Sequence, residues 1–437
     1  MADIKPFHGI RYNPAKVSID KTATKPYDKI SPAEQDAYYK ADPHNIVRLI
    51  LGKEQAGDTD TDNRYTRAAS FVQQWIRENV FIKEDSPAFY VYDQIFTAPG
   101  FPEKKRRALV GLGKVVPYKD KVVFPHEKTL SGPKKDRLLL TRATHCQFGH
   151  VFMLYDDKQQ CVNTLLEGAI AGTSPVYTFS DSYNVLHMLY IVKDSAVIRK
   201  IQAAMADTRL LIADGHHRYE TALNFCNEVR QVHPDCADVN YHLMSFVNVY
   251  DPGLVILPTH RIVKNLDADT LAQGWSKLQS ICTVTKASRA DVEPEKLAAR
   301  KGIVFGAYKD GSYYLITLKD GVNYRASMQK NKPDAWYSLP VAVLHDALLD
   351  SLFGIDREKL AAQTNITYVP TVDAGVELVD KEEHQIAFFI TPTPIDKVLE
   401  ISFAGETMPQ KTTDFFPKIY TGLVFNKLTI PSAVTAK

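Results

Sequence analysis

The sequence predicts an α+β protein of two domains, and three observations lead to this prediction. At 437 residues the chain is longer than one ordinary domain of roughly 150 residues. Residues 89–154 contain short runs of β-branched and aromatic residues that are typical of strands, whereas residues 218–229 have the apolar spacing of a helix. The local pattern of residues along the sequence changes near residue 265. We therefore predict an N-terminal domain over residues 1–265 and a smaller α+β domain over residues 266–437.

Short local patterns place the helices and strands of the first domain. Ser31 followed by Pro32 is typical of a helix start, with the hydroxyl as the cap and the proline in the first turn. Asp62 is predicted to cap a second helix that ends at Glu78. Strands are predicted where β-branched and aromatic residues cluster, at residues 89–92, 108–112, 121–124 and 151–154.

Turn and stop signals place the elements of the second domain. The dipeptide Asp310-Gly311 between two apolar runs predicts a hairpin over residues 303–318, because this pair favours a two-residue hairpin loop. Gly354 is predicted to end a helix over residues 341–352, because glycine readily adopts the left-handed conformation after a last helical turn. Residues 385–391 are predicted to form a buried strand.

Charge and composition argue against several functional classes. The chain carries 53 basic and 51 acidic residues, a formal charge of +2, so a general nucleic-acid or membrane-surface role is not favoured. No stretch reaches the ~20 apolar residues that span a bilayer, and the N-terminus lacks the apolar core of a signal peptide. The five cysteines are scattered without a CxxC pair, which predicts free thiols and a cytoplasmic location.

The segment over residues 210–223 is the most informative in the sequence. An apolar run ends in Asp214, Gly215 supplies a sharp turn, and a helix begins close behind it. Amide groups in the first turn of a helix lack intrahelical acceptors, and the helix dipole favours negative charge there. Two histidines and Arg218 add side-chain donors, so a phosphate is the expected ligand. We call this candidate phosphate site, formed by Asp214, Gly215, His216, His217 and Arg218, the DGHHR turn.

Other interpretations of the DGHHR turn stay open. Asp214 could be a plain helix cap, with both histidines exposed on a polar turn. Asp214 could also hold Mg²⁺ or orient a histidine. A metal site made of His216 and His217 is disfavoured, because adjacent residues point in different directions whereas zinc ligands favour spacings such as i,i+4.

Several separated motifs make the sequence similar to a known family. Residues 214–223 resemble the DGHHRYETAL signature of the family catalogued as domain of unknown function (DUF) 1015. Further matching segments follow the same order along the chain, at residues 5–12, 26–31, 45–49, 125–129, 135–137, 408–413 and 416–418. The family in turn resembles ParB/sulfiredoxin-like proteins, which include free-serine kinases that share a DGHHR turn and nucleotide switches of the ParB type.

The resemblance implies a fold and a reaction. It implies a ParB/sulfiredoxin-like N-terminal domain that is catalytic, with the domain over residues 266–437 closing the site. It also implies that the DGHHR turn binds the phosphates of a nucleotide and that free L-serine accepts a phosphoryl group, giving O-phospho-L-serine. The donor would be ATP or ADP, because the resembled kinases differ in this respect. Mg²⁺ is expected to bridge the donor phosphates. Asp214 is a candidate catalytic residue that would position either this metal, as a ligand, or the serine hydroxyl.

A second candidate segment, residues 125–129, follows a predicted strand. Transfer to serine requires a base that accepts the hydroxyl proton, and a carboxylate within hydrogen-bond reach can do so. In the resembled kinases a glutamate upstream of the turn has this role, so Glu127 is the candidate base. The alternative is a structural ion pair of Glu127 with Lys128 or Arg137. The neighbours expected to contact the substrate are His126, Lys128 and Thr129.

Three further residues are candidates for ligand contacts. Arg137, in the charged run over residues 135–137, is expected to reach a phosphate or the serine carboxylate, unless the run is a solvated face. Lys411 and Thr412 are expected to close over the nucleotide phosphates from the C-terminal domain. The alternative for these two is an edge strand.

Motifs of the common nucleotide-binding and hydrolase classes are absent from the sequence. It has no GxxxxGK[ST] P-loop, no protein-kinase HRD or DFG motif, no GxSxG elbow and no HExxH pair. The sequence therefore predicts an ATP-dependent L-serine kinase. Its expected partners are small molecules, and neither nucleic acid nor a membrane is expected to bind. A homodimer is one possible assembly. Two other functions stay open: a nucleotide-gated switch without phosphoryl transfer, and a phosphohydrolase that uses water as nucleophile.

Overall fold

In the computed structural model the chain divides into two compact units. The structure describes residues 2–127 and 131–431. Unit 1 comprises residues 2–125, 131–255 and 417–431, and unit 2 comprises His126, Glu127 and Ile256–Phe416. Both units contain helices and strands, which confirms the predicted α+β class. Within the described ranges, no helix is long and apolar enough to cross a membrane.

A nine-stranded mixed sheet forms the centre of unit 1. In order across the sheet, its strands are Val123–Phe124, Leu210–Asp214, Val151–Tyr155, Tyr241–Asn248, Phe101–Lys114, Phe89–Ala98, Leu186–Val192 and Tyr177–Ser180, with Ile4–Lys5 beside Phe101–Lys114. Strand Leu210–Asp214 pairs in parallel with one neighbour and antiparallel with the other. This pairing on both sides fixes the point at which the chain leaves the sheet after Asp214.

The helices of unit 1 bury the apolar residues of this sheet. Tyr219, Phe225 and Val229 of one helix belong to the same buried cluster as Ile212 and Met244 of the strands. The α-helices of the unit are Ile19–Thr22, Pro32–Ala41, Val47–Ile50, Arg64–Arg77, Ser131–Thr144, Cys161–Ile170, Ser195–Met205 and His216–Val232. Its short 3₁₀ turns are Tyr27–Lys29, Tyr118–Asp120 and Asp238–Asn240. Two small strand pairs join Ile10–Tyr12 to Phe81–Lys83 and Cys146–Gln147 to Asn426–Lys427.

Helix starts agree with the prediction in one place and differ in another. Ser31 caps the helix Pro32–Ala41 with its hydroxyl, which confirms that prediction. The second predicted helix is Arg64–Arg77, and its cap is Asn63. The Asn63 side chain accepts two amide hydrogens of the first turn, so the prediction that Asp62 is the cap is wrong.

Unit 2 contains a six-stranded antiparallel sheet. In order, its strands are Cys282–Ala287, Ser312–Leu318, Val304–Lys309, Ile386–Phe389, His260–Val263 and Ile366–Val369, and a separate pair joins Val255–Leu257 to Asp414–Phe416. The predicted hairpin is confirmed, and Asp310 and Gly311 at its turn have φ of 49° and 69°.

The helices of unit 2 include the one predicted before Gly354. A continuous helical segment runs from Pro340 to Phe353, with a π-helical part at Val343–Asp350, and Gly354 ends it with φ of 63°. This confirms the predicted stop signal. The other α-helices are Ala268–Ile281, Pro294–Ala298, Asp334–Tyr337, Arg357–Ala362, Val372–Asp380 and Ile395–Phe403, and the 3₁₀ turns are Arg289–Val292 and Tyr324–Ser327.

The limits of the compact units differ from the predicted domain limits. Strand His260–Val263 pairs with Ile366–Val369 and Ile386–Phe389, so the chain is already part of unit 2 before residue 265. Residues 417–431 return to unit 1 instead of belonging to a C-terminal domain over residues 266–437. A ParB/sulfiredoxin-like N-terminal portion and a C-terminal domain that closes the site stay predictions.

Candidate phosphate-binding site

The DGHHR turn joins a buried strand to a long helix in unit 1, as predicted. Strand Leu210–Asp214 ends at the aspartate, and helix His216–Val232 begins directly after Gly215. Gly215 has φ of 98°, and a Cβ atom there would lie 2.9 Å from Cζ of Arg218. The left-handed backbone therefore favours glycine at this position, and any larger residue would also have to displace the guanidinium of Arg218. Gly215 also occupies the cap position of the helix, so the interpretation of Asp214 as a plain cap is wrong.

Asp214 is surrounded by positive charges. Its Oδ2 lies 3.6 Å from Nη2 of Arg218 and 3.8 Å from Nζ of Lys418. Burial raises the pKa of the Asp214 carboxyl, but the charges of Lys418, Arg218 and Lys29 outweigh burial and hold this pKa below its ordinary value. The Asp214 side chain is still 21% exposed. One ionised carboxylate, reached by solvent, thus faces three cations.

Arg218 is buried and bonds the backbone carbonyl of His150, a residue whose ring makes two further hydrogen bonds. Its Nη1 donates to the carbonyl of His150, while Nη2 faces Asp214. The ring of His150 bonds the carbonyl of Val424 through Nε2 at 2.9 Å and the hydroxyl of Ser245 through Nδ1 at 2.7 Å. Since a carbonyl only accepts, Nε2 carries the hydrogen and Nδ1 accepts from the hydroxyl. Burial lowers the pKa of His150 to about 4, so the ring is neutral at pH 7.

The two histidines of the turn differ in burial. His216 is buried and His217 is half-buried. Burial lowers the pKa of His217, and this effect outweighs the negative charge of Glu220, which raises the pKa. The alternative in which both histidines are exposed residues of a polar turn is therefore wrong for His216.

The residues of the turn suit an anion better than a resident metal ion. Across the described parts of the chain, no group of three or more His, Cys, Asp or Glu side chains is placed to hold a metal ion. Asp214 is a carboxylate of the kind that Mg²⁺ prefers, but the three surrounding cations oppose the binding of a bare cation. A role of Asp214 toward Mg²⁺ stays a prediction, limited to an ion that arrives with phosphates.

Lys418 and Lys29 are site residues that sequence reasoning missed. The backbone carbonyl of Lys418 accepts from Nε2 of Gln94 at 3.0 Å, and the carbonyl of Pro417 accepts from the buried guanidinium of Arg106. These two bonds fix the backbone from which Lys418 reaches Asp214. A signal was available, because both lysines lie within motifs that carry the family resemblance.

Arg137 lies in unit 1 beside a small cavity that Arg218 also lines. Its Nε donates to Asp136 at 2.8 Å, and its guanidinium lies 3.7 Å from the ring centroid of Tyr27. Arg137 is only 8% exposed, so the charged run over residues 135–137 is not a solvated face at this position. Its contact with substrate stays a prediction.

The candidate base Glu127 and the neighbouring His126 belong to unit 2. Oε1 of Glu127 accepts the amide hydrogen of Thr412 at 3.1 Å and lies 3.6 Å from Nε2 of His126. The structure thus brings together three of the predicted residues, and the Glu127 side chain is 20% exposed. Lys128 and Thr129 lie outside the described residues.

Lys411 and Thr412 form a turn of unit 2 rather than the edge strand of the alternative interpretation. Lys411 has φ of 58°, and its carbonyl accepts from Nη2 of Arg261 at 2.8 Å. The hydroxyl of Thr412 donates to the carbonyl of Pro409 at 2.5 Å, and the residue is buried. Both residues therefore have contacts that hold the turn, and their role toward phosphates stays a prediction.

The sequence matches a protein family over most of its length. A family model described as "Protein of unknown function (DUF1015)" matches residues 4–343. The chain belongs to the DUF1015 family. The match includes the DGHHR turn, Glu127 and Arg137, while the segments at residues 408–413 and 416–418 lie beyond it. No curated protein matches this DUF1015 chain.

Solved structures resemble the DUF1015 chain only distantly. A conserved hypothetical protein from Pyrococcus furiosus is 15% identical, with 70% of this chain and 93% of that chain covered and a TM-score of 0.34. A mutant free serine kinase in complex with AMP is 13% identical, with 70% and 90% covered and a TM-score of 0.35. SbnI with a C-terminal truncation from Staphylococcus aureus is 10% identical, with 70% and 84% covered and a TM-score of 0.32. Likeness at this level does not establish a shared fold or a shared activity.

Replacing Asp214 by Asn is expected to change how stability depends on pH. Because the pKa of Asp214 is lowered by folding, its charge stabilises the fold above the unfolded pKa of about 4, and this stabilisation is lost as pH falls through the lower folded pKa. We expect the free energy of unfolding of Asp214→Asn to be about 1–3 kcal/mol lower than that of the wild type at pH 7. This loss lies between those measured for exposed and for buried ion pairs. Urea unfolding from neutral pH down to about pH 3 measures this difference, which should shrink below about pH 4.

The exposed Asp207 of the same unit provides a control. Asp207→Asn should match the wild type at every pH. A destabilisation of Asp214→Asn that stays constant with pH would contradict the electrostatic explanation.

Proposed function

We propose that this DUF1015 chain is a nucleotide-dependent kinase that phosphorylates the hydroxyl of free L-serine. The observation that supports the proposal most is the group of three cations, Lys418, Arg218 and Lys29, around the single carboxylate of Asp214. These charges lie at the N-terminus of a 17-residue helix, where first-turn amides and the helix dipole also favour negative charge. A polyanion such as a nucleotide phosphate chain suits this combination.

The choice of L-serine rests on the sequence resemblance of the DGHHR turn to that of the free-serine kinases. Phosphoryl transfer needs little covalent chemistry from the protein, because positioning and stabilisation of charge supply most of the catalysis. A site in which cations and amides surround one carboxylate is consistent with direct transfer to a small acceptor.

In the proposed reaction the hydroxyl oxygen of serine attacks the terminal phosphorus of ATP. The bond from that phosphorus to the leaving oxygen of ADP breaks as the new O–P bond forms, and the hydroxyl proton passes to the carboxylate of Glu127. Arg218 and Lys418 stabilise negative charge on the transferred group. With ADP as donor the same steps release AMP. Mg²⁺ accompanies the nucleotide phosphates and lowers their charge.

A direct assay tests this proposal. The protein is incubated with Mg²⁺, ATP or ADP, and each amino acid in turn, and phosphoserine is measured by mass spectrometry together with the nucleotide product. We expect phosphoserine from L-serine in equal amount to the nucleotide product, and much less product from D-serine, which has the same groups in mirror-image arrangement. Release of inorganic phosphate without a phosphorylated amino acid would indicate a hydrolase, and nucleotide binding without turnover would indicate a switch.

A further inference from the structure

A small cavity in unit 1 has the composition of a binding site. Its volume is about 50 Å³, and because a buried water needs about 10–15 Å³, it has room for roughly three to five groups of that size. Arg137, Arg218 and His242 are among the polar residues that line it. The apolar part of the lining includes Ile50, Leu140, Phe148 and Phe225.

His242 supplies an independent sign of a ligand. The residue is 8% exposed, and its buried Nε2 has no hydrogen-bond partner in the part of the chain that the structure describes. An unsatisfied buried group costs about 1–3 kcal/mol, so folded proteins normally provide a partner for it. Burial and the positive charge of Arg218 lower the pKa of His242 to about 3. The ring is therefore neutral at pH 7, and Nε2 can donate one hydrogen bond.

Among the residues that the structure describes, the hydrogen bonds of the two arginines use only some of their donors. Arg137 bonds Asp136 through Nε and Nη2, which leaves Nη1 outside these bonds. Arg218 gives Nη1 to the carbonyl of His150, and its Nη2 faces Asp214 at 3.6 Å, out of the five N–H groups that a guanidinium carries. The charges of both arginines act on Tyr27, which also lines the cavity, so the two guanidinium groups lie near the same space.

We propose that this cavity binds the carboxylate of a small organic acid, with Arg137 and Arg218 holding the carboxylate oxygens and His242 donating from Nε2. The apolar walls cover a short carbon chain. A nucleotide is too large for this volume, and a free phosphate would leave polar oxygens against apolar walls. If the acid is L-serine, the inference rests on the proposed kinase function and locates its substrate carboxylate, since Arg137 is the residue expected to reach it; a simple acid would be a ligand beyond that function. Arg218 belongs to both the cavity and the DGHHR turn.

Calorimetric titration of the full chain tests this inference. Propionate, L-serine and inorganic phosphate are titrated separately at one ionic strength. We expect saturable binding of at least one of the two carboxylates, tighter than that of phosphate. Tighter propionate binding identifies a simple acid as the source of the carboxylate, and tighter L-serine binding identifies an amino acid. His242→Leu removes the donor while keeping the buried volume, and it should weaken carboxylate binding at least about tenfold.

His260→Leu is the matched control. His260 is a buried histidine of unit 2 whose Nε2 likewise has no partner among the described residues. We expect this variant to bind carboxylate like the wild type, with thermal unfolding showing that both variants are folded. Should His242→Leu fail to fold, Arg137→Lys tests the same cavity, because it keeps the charge and loses the planar fork.

Three outcomes would overturn the inference: no saturable carboxylate binding, binding of phosphate alone, or carboxylate binding that neither His242→Leu nor Arg137→Lys weakens. A parallel titration with ATP separates this inference from the proposed function. ATP binding without carboxylate binding contradicts only the proposal that the cavity binds a carboxylate. Carboxylate binding without ATP binding contradicts only the proposed kinase function.

Discussion

Glu127→Gln is expected to remove most phosphoryl transfer to L-serine while nucleotide affinity stays nearly unchanged. A positioned general base contributes about 10²–10⁴-fold to a rate, and the neutral glutamine amide cannot take the hydroxyl proton. Glutamine keeps an oxygen that can accept the amide hydrogen of Thr412, so the turn that Glu127 contacts should keep its shape. Single-turnover rates and the nucleotide Kd, measured on the same preparation, test this prediction.

The control for this experiment is Glu377→Gln. Glu377 is an exposed carboxylate of unit 2 that pairs with Lys381 on a helix surface. Its removal should leave both transfer and nucleotide affinity at the wild-type level. If Glu127→Gln instead lowers affinity and turnover equally, or lowers neither, Glu127 is not the base.

Arg218→Ala is expected to weaken nucleotide binding by about 1–3 kcal/mol, which is roughly five- to 150-fold in Kd. The substitution removes a buried cation next to Asp214, and therefore part of the positive charge that favours a polyanion. The lost charge should also make affinity less sensitive to salt, because fewer charged contacts remain to be screened. Calorimetric titration with ATP at low and high ionic strength measures both effects.

Two further variants separate charge from structure at this position. Arg218 also donates to the carbonyl of His150, so thermal unfolding must show that the alanine variant is folded. Arg218→Lys keeps the charge and should retain more affinity than alanine. Arg142→Ala removes a partly exposed arginine that pairs with Glu228, and it should bind nucleotide like the wild type. Unchanged affinity in Arg218→Ala would place the phosphates elsewhere in the protein.

Elements with local causes could be predicted from the sequence. The strand, glycine and helix of the DGHHR turn are encoded in consecutive residues, and so are the hairpin at Asp310-Gly311 and the helix stop at Gly354. Where two neighbouring residues can serve the same purpose, the sequence does not choose between them. Asp62 and Asn63 are both good caps, and the choice depends on backbone angles that only the folded chain reveals.

Contacts between residues far apart in the chain could not be predicted. The motif at residues 416–418 draws attention to Lys418, but it does not indicate that the side chain reaches Asp214, or that Arg106 and Gln94 hold its backbone. His150 and His242 lie among apolar residues, a pattern that suggests burial but does not identify a partner. The limits of the compact unit 1 could not be predicted for the same reason, since strand pairing across long loops decides them.

The return of residues 417–431 to unit 1 has a consequence for biosynthesis. The buried guanidinium of Arg106 donates to the carbonyl of Pro417, and His150 donates to the carbonyl of Val424. These two donors are therefore translated well before the carbonyl groups that accept their hydrogen bonds. The ribosome makes the whole segment Ile256–Phe416 in between. Unit 1 therefore reaches its native hydrogen bonding only after residues 417–431 have been translated, and a nascent chain halted at residue 255 lacks both these acceptors and Lys418.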